Sequence, residues 1–265
     1  MPLYSAAALL LLAREVTMTN NVLLDAVKHK NLRVSTGYTP SFGDNEMSAI
    51  TFPHEFRSIQ ADYPIFFKKD QNTGDFFPVA LLGLRNQENL YLSESGWDAF
   101  YIPASVRRRP FLIGQTSQPD INKDNAGSKV YLDIDSPRIS NHNGEAIFLE
   151  HGGYSPYLSS ILELLEFIQY GIDLNSAFST MLAEIQLLEV INLEITLTDG
   201  QCLTLAGFYT INEEKLASLS SDIIAPLHAK GYLQYLHMVI ASHSNVAKIV
   251  KLAEAKIRSM TTNNK

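Results

Sequence analysis

Residues 96–111, GWDAFYIPASVRRRPF, gather the chain's one tryptophan, further aromatic rings, two prolines and three consecutive arginines. A guanidinium presents a planar fork of donors that matches a carboxylate or phosphate, and it stacks on aromatic faces. Arg107, Arg108 and Arg109 beside Trp97 and Tyr101 therefore suit an anion site for a carboxylate, a phosphate or an acidic glycan. The same composition marks an interface hot spot. Consecutive residues cannot all face one ligand on either a helix or a strand, so at most two of the arginines converge. The competing reading is a structural corner, with one arginine paired to Glu55, Asp62 or Asp98 and the others in solvent. The expectation is that Trp97 packs largely in the interior. At least one of Arg108 and Arg109 is expected to engage a carboxylate of the 55–62 helix.

Other chemistry-bearing residues are more scattered. Asp133 and Asp135 in YLDIDSPR stand two apart and share a face if the segment is a strand, which suits cation binding or acid–base work. Arg138 nearby offers simple charge compensation instead. The seven histidines (His29, His54, His142, His151, His228, His237 and His243) form no H-x-H, H-x-D or H-E-x-x-H spacing, so no metal is expected. EHGGYSPY, residues 150–157, sets two glycines before a helix start, where free N–H groups attract anions. It has no P-loop lysine, so a capped turn explains it as well. No G-x-S-x-G elbow is present, and Cys202 beside Leu203 and Leu205 reads as structural.

These residues need a frame, and composition supplies an ordinary one. The 265-residue chain is 46% apolar and 18% charged, with a net charge of −7. That is globular composition, and the acidic balance argues against a general nucleic-acid binder. A single cysteine rules out an internal disulfide framework and suits a reducing compartment. SAAALLLLA, residues 5–13, is far short of the roughly 20 apolar residues that span a bilayer. Residues 1–17 read as an extension before a natural start at Met18, or as a weak targeting segment. Residues 18–265 read as one domain, in the cytoplasm or, by leaderless export, at the cell surface.

The pattern of elements is α+β. TFPHEFRSIQA (residues 51–61) suggests a short helix capped by Thr51. YPIFFKKDQNTGDFFPVALLGL reads as a hairpin, and Lys129–Ile134 as a strand. Ser155-Pro156 opens a helix carrying Leu158, Ile161, Leu162, Leu165 and Ile168, with a second helix at 175–189. INLEITLTDGQCLTLAGFYTI is a hairpin with an Asp199-Gly200 turn, and three helical pieces follow, the first ended by Gly231. The first half is thus strand-rich, and the second is helical with one embedded β-hairpin.

Several of these stretches resemble the SapC family of bacterial proteins: Tyr63–Phe67, Ala80–Leu84, Glu88–Leu90, Gly96–Pro103 and Arg108–Phe111. LTLAGFYTINEEKLASLS and HAKGYLQYLHMVIASHSN are similar to its C-terminal half, so the resemblance spans about residues 50–250. Ser105-Val106 and the segment before Met18 depart from the pattern. The family is named for an association with bacterial surface layers, and no established catalytic residues come with it. The resemblance also implies a neighbourhood of outer-membrane receptors and flavin-dependent halogenase-like proteins. The function expected is therefore non-catalytic binding or assembly, without a cofactor, through Trp97, Tyr101 and the arginines. Its partner is a protein or an anionic small ligand. The alternative is an enzyme or enzyme accessory in a carbohydrate-uptake or halogenase-linked pathway, working through Asp133, Asp135 and an arginine.

Overall fold

The structure, a computed structural model, describes residues 20–114 and 129–263. The segment read as an extension lies outside them. The first half is strand-rich as expected. β1 (Asn21–Leu23), β2 (Arg33–Val34) and β3 (Ser48–Ile50) lead to a 3-10 turn at Pro53–Glu55 and a single helical turn, α1 (Phe56–Ile59). This helical stretch is shorter than 51–61. Thr51 does not cap it; the Glu55 carboxylate instead receives both the Thr51 hydroxyl (2.7 Å) and the Phe52 N–H (3.1 Å). β4 (Ile65–Lys69) and β5 (Phe76–Leu81) form the predicted hairpin. Its turn is held by Asp70, whose Oδ1 accepts from Asn72 N at 2.7 Å and Thr73 N at 3.0 Å, an Asx-turn.

A small ribbon of β6 (Leu92–Ser93) and β7 (Gly96–Trp97) precedes α2 (Ala104–Arg107) and β8 (Phe111–Gly114). β9 (Lys129–Asp133) pairs antiparallel with both β1 and β8. β10 (Ile139–Ser140) and β11 (Glu145–Ala146) flank β2, which brings residues 33–38 beside residues 138–146. Gly144 makes that approach possible. Its φ is +101°, and a Cβ there would sit 2.3 Å from the Val34 carbonyl oxygen.

The second half opens with α3 (Pro156–Glu184), one helix of 29 residues where two were expected. Ser155 Oγ accepts from Leu158 N at 3.0 Å, and Pro156 occupies the first turn. Leu158, Ile161, Leu165, Ile168, Ile172, Phe178 and Leu182 are buried, so one apolar stripe continues along the length. Gly171 does not break it. A Cβ at that position would lie 2.4 Å from His54 Cε1 and 2.7 Å from Phe52 Cγ, so this glycine serves packing against the 53–55 turn.

β12 (Leu188–Thr196) and β13 (Cys202–Ile211) form the embedded hairpin. It joins β4, β5 and β3 in an antiparallel sheet of order β12-β13-β4-β5-β3. Cys202 is exposed at the hairpin's end, so it packs no core. α4 (Glu213–Ala217), α5 (Ser221–Ala229), α6 (Tyr232–Ser242) and α7 (Val246–Asn263) complete the chain, with Gly231 at φ +74° between α5 and α6. α3 packs against β5, β8, β11, α2 and the 53–55 turn, while α6 covers β4 and β13. Tyr63, Phe66, Phe67, Phe111, Phe178 and Leu132 are among the fully buried side chains of a contiguous core.

Candidate functional site

The aromatic–arginine stretch is hung on Glu55, a carboxylate only 3% exposed. Its Oε2 accepts from the Tyr101 hydroxyl at 2.8 Å and from Ala104 N, the first residue of α2, at 3.1 Å. Burial raises the Glu55 carboxyl above its ordinary value, and the donors from Thr51, Ala104, Tyr101 and Phe52 work against that rise. Tyr63, also buried, donates to the Tyr101 carbonyl at 2.6 Å and receives Trp97 Nε1 at 2.7 Å. Trp97 is half-buried rather than interior, and it meets Tyr38 edge-on at 5.6 Å. Asp62 holds the loop from the other side, accepting from Phe100 N at 3.0 Å.

From this scaffold the three arginines part. Arg108 is buried and donates to the Phe111 carbonyl at 2.8 Å. Arg107 is exposed, with its guanidinium 5.9 Å from the Tyr101 ring centre. Arg109 reaches Glu46 Oε2 at 2.6 Å and lies 3.9 Å from Asp44 Oδ1. The carboxylate it meets therefore comes from the 44–46 loop and not from residues 55–62. Glu55 is already committed to hydroxyl and main-chain donors, and Asp62 is held by Lys248 at 2.6 Å and Phe100 N.

Arg107 and Arg109 line one cavity of about 180 Å³ with Arg138. Thr36 and Tyr38, from the chain after β2, form one side; Tyr157, Ser160, Ile161 and Leu164, from the first turns of α3, form the other. Val106 closes the apolar part of the wall. Arg138 stands just before β10, where the β2–β10 pairing fixes it against residues 35–37. Its Nη1 donates to Gly37 O at 2.7 Å and Ser35 O at 3.2 Å. Its Nη2 meets both oxygens of Asp44, at 2.6 and 2.7 Å. The guanidinium also lies 5.3 Å from the Tyr38 ring centre and 5.0 Å from that of Phe42. Arg138 is 2% exposed, and its Nε has no hydrogen-bond partner.

Arg138 thus compensates Asp44, 94 residues away, and not the Asp133–Asp135 pair. That pair does not share a strand face. β9 ends at Asp133, and Asp135 sits in the following turn with its N–H on Asp133 Oδ1 at 3.3 Å. Neither aspartate lines the cavity. Burial raises the Asp133 carboxyl, against the lowering effect of the Asp135 N–H it accepts, and the Asp135 charge adds a smaller upward push.

The cavity's titratable groups are arginines and phenols. Burial raises both Tyr38 and Tyr157, while the neighbouring arginines pull the other way. At neutral pH both phenols keep their protons, and guanidinium groups stay charged. The wall therefore offers donors and little that could accept a proton. Among the described residues, no group of three or more His, Cys, Asp or Glu is placed to hold a metal ion. Nor is any helix long and apolar enough to cross a membrane.

Tyr38, Tyr157 and Ser160 were not singled out from sequence. Tyr157 closes EHGGYSPY and Ser160 follows three residues later; that stretch signals a helix start but not what its first turn faces. No curated protein and no solved structure matches the chain. The SapC family model matches residues 24–249, which include every cavity residue and the whole Glu55 scaffold, and the chain belongs to the SapC family.

Proposed function

We propose that this SapC-family protein is a non-catalytic binder that holds a small anionic ligand in the arginine-lined cavity. The observation that carries the reading is the convergence of Arg107, Arg109 and Arg138 on one wall that supplies donors. Charge-assisted hydrogen bonds to a guanidinium are the strong kind, and they orient a planar anion. General acid–base catalysis needs a group that changes protonation near the working pH, and a wall of guanidinium and raised phenol groups suits retention better than turnover. The net charge of −7 favours a small anion or protein over nucleic acid, and the lone cysteine suits a cytoplasmic setting. A surface-layer role reached by leaderless export stays the alternative location.

Docking of a protein partner is a second reading, and Phe100 favours it. This side chain is 96% exposed although its own N–H is pinned by Asp62, so a large apolar group is held out in solvent. The enzymatic alternative, including an accessory role in a carbohydrate-uptake or halogenase-linked pathway, would rest on Asp133 and Asp135 outside the cavity. Ligand-observed NMR on a mixture of small carboxylates, phosphates, sulfates and neutral compounds tests the first reading. The expected result is saturation transfer to anions, weakened by Arg107→Ala, with every compound unchanged after prolonged incubation. Equal transfer to neutral compounds, or growth of a product, overturns it.

A further inference from the structure

We infer that the cavity takes a small monocarboxylate with an apolar body, such as an aryl or branched-chain acid; this rests on the anion-binding reading above. The charge commitments decide the first part. Arg138 is bound to both oxygens of Asp44, and Arg109 to Glu46. Arg107 is exposed on the cavity wall, and its guanidinium lies by Tyr101, beside the ring and interacting with its hydroxyl. One guanidinium fork is thus presented to solvent, and one fork matches the two oxygens of one carboxylate. A second, buried donor points to a ligand independently: Arg138 lines the cavity, is 2% exposed, and leaves its Nε–H without an acceptor. Buried donors are normally satisfied, and this one has no acceptor among the described residues.

The rest of the lining decides the body of the ligand. Val106, Ile161 and Leu164 are buried apolar residues on the same wall. A phosphate or sulfate would leave that surface against water, whereas an apolar ring or branched chain covers it. A volume of about 180 Å³ falls below the roughly 300–1,000 Å³ of sites that hold drug-sized ligands, so a single ring or a short branch is the scale that fits. The amphipathic wall therefore matches an amphipathic ligand, with its carboxylate toward Arg107.

Equilibrium dialysis of the full chain against benzoate, its neutral isostere benzamide, and inorganic phosphate tests the inference. Benzoate is expected to bind at least about tenfold more tightly than either, the scale of one charge-assisted hydrogen bond. Arg107→Ala should remove that preference, and Arg107→Lys should restore only part of it, because an ammonium lacks the fork. Arg107 is exposed, so both variants should fold, with unchanged melting as the control. Phosphate binding as tightly as benzoate overturns the ligand class while leaving anion binding intact. Benzamide equal to benzoate overturns charge recognition. Binding of none of the three overturns both the class and the anion-binding reading.

Discussion

Replacing Glu55 by alanine removes one acceptor from four donors at once: Thr51 Oγ1, Phe52 N, Tyr101 Oη and Ala104 N. The hydroxyls can rotate toward other partners, but the two main-chain N–H groups cannot. An orphaned buried donor costs about 1–3 kcal/mol, so the two amides account for roughly 2–6 kcal/mol. At roughly 2–4 °C per kcal/mol for large domains, melting should fall by about 4–24 °C. Glutamine keeps one oxygen, but its NH2 must face a donor pair that contains a main-chain N–H, so Glu55→Gln should lie between the two. Thermal melts followed by circular dichroism, with urea midpoints beside them, measure both. The pH dependence has a definite sign. Burial raises the Glu55 carboxyl above its ordinary 4.5, so the folded state binds the proton more tightly than the unfolded state. Its contribution is then fully present below 4.5 and is lost as pH rises through the higher folded value. The stability gap between wild type and Glu55→Gln should narrow as pH climbs through that window. An alanine variant that melts within about 2 °C of wild type, under 1 kcal/mol on the same scale, would refute the reasoning. So would a gap that widens with pH.

Further outcomes follow from single contacts. Gly171→Ala should lower melting although alanine is the better helix former by about 1 kcal/mol, because overpacking costs about 1–3 kcal/mol and the new Cβ meets His54 and Phe52; a rise in melting would contradict it. His243 stacks on Phe66, and its Nε2 faces Ile65 O and Thr210 Oγ1, each at 3.2 Å. Burial holds its pKa below 6.5, so stability from this group is present above 6.5 and lost as pH falls through the folded value. His243→Gln should flatten the acid side of a melting-versus-pH curve, and an unchanged slope would count against it. Asp135 is exposed, so Asp135→Asn should shift stability by no more than about 0.5 kcal/mol and leave benzoate dialysis unaltered.

What was legible in the sequence was local. The β4–β5 hairpin and the start of α3 were readable because Asp70 and Ser155 act on main-chain groups two or three residues away. The length of α3 was not: the segment reads as two helices, and the packing of Gly171 against His54 and Phe52 within one continuous helix involves residues more than a hundred positions away. Nor was the partner of Arg138, because Asp44 lies 94 positions earlier and reaches it only through the β2–β10 pairing. The constraint that at most two consecutive arginines converge came from geometry alone. Which two depended on where α2 stops. The helix ends at Arg107, so Arg109 leaves on a turn and reaches the same cavity, while Arg108 goes to the Phe111 carbonyl.

The two acidic side chains beside the cavity explain how so much positive charge can be assembled in one wall. Like charges gathered in a partly buried site repel, and each guanidinium taken out of water carries a desolvation cost. Asp44 is wholly buried and binds Arg138 through both oxygens while also accepting from Thr39 N at 2.9 Å. Glu46 does the same office for Arg109 nearer the surface. These carboxylates neutralise Arg138 and Arg109 from within the fold itself. Arg107 is exposed, so its guanidinium beside the Tyr101 ring keeps much of its solvation. On the proposed anion-binding reading the inner arginines are charge-balanced walls, and the outer one is the group whose solvation would change on binding. On that reading Asp44 and Glu46 serve the stability of the site, and Arg107 its affinity.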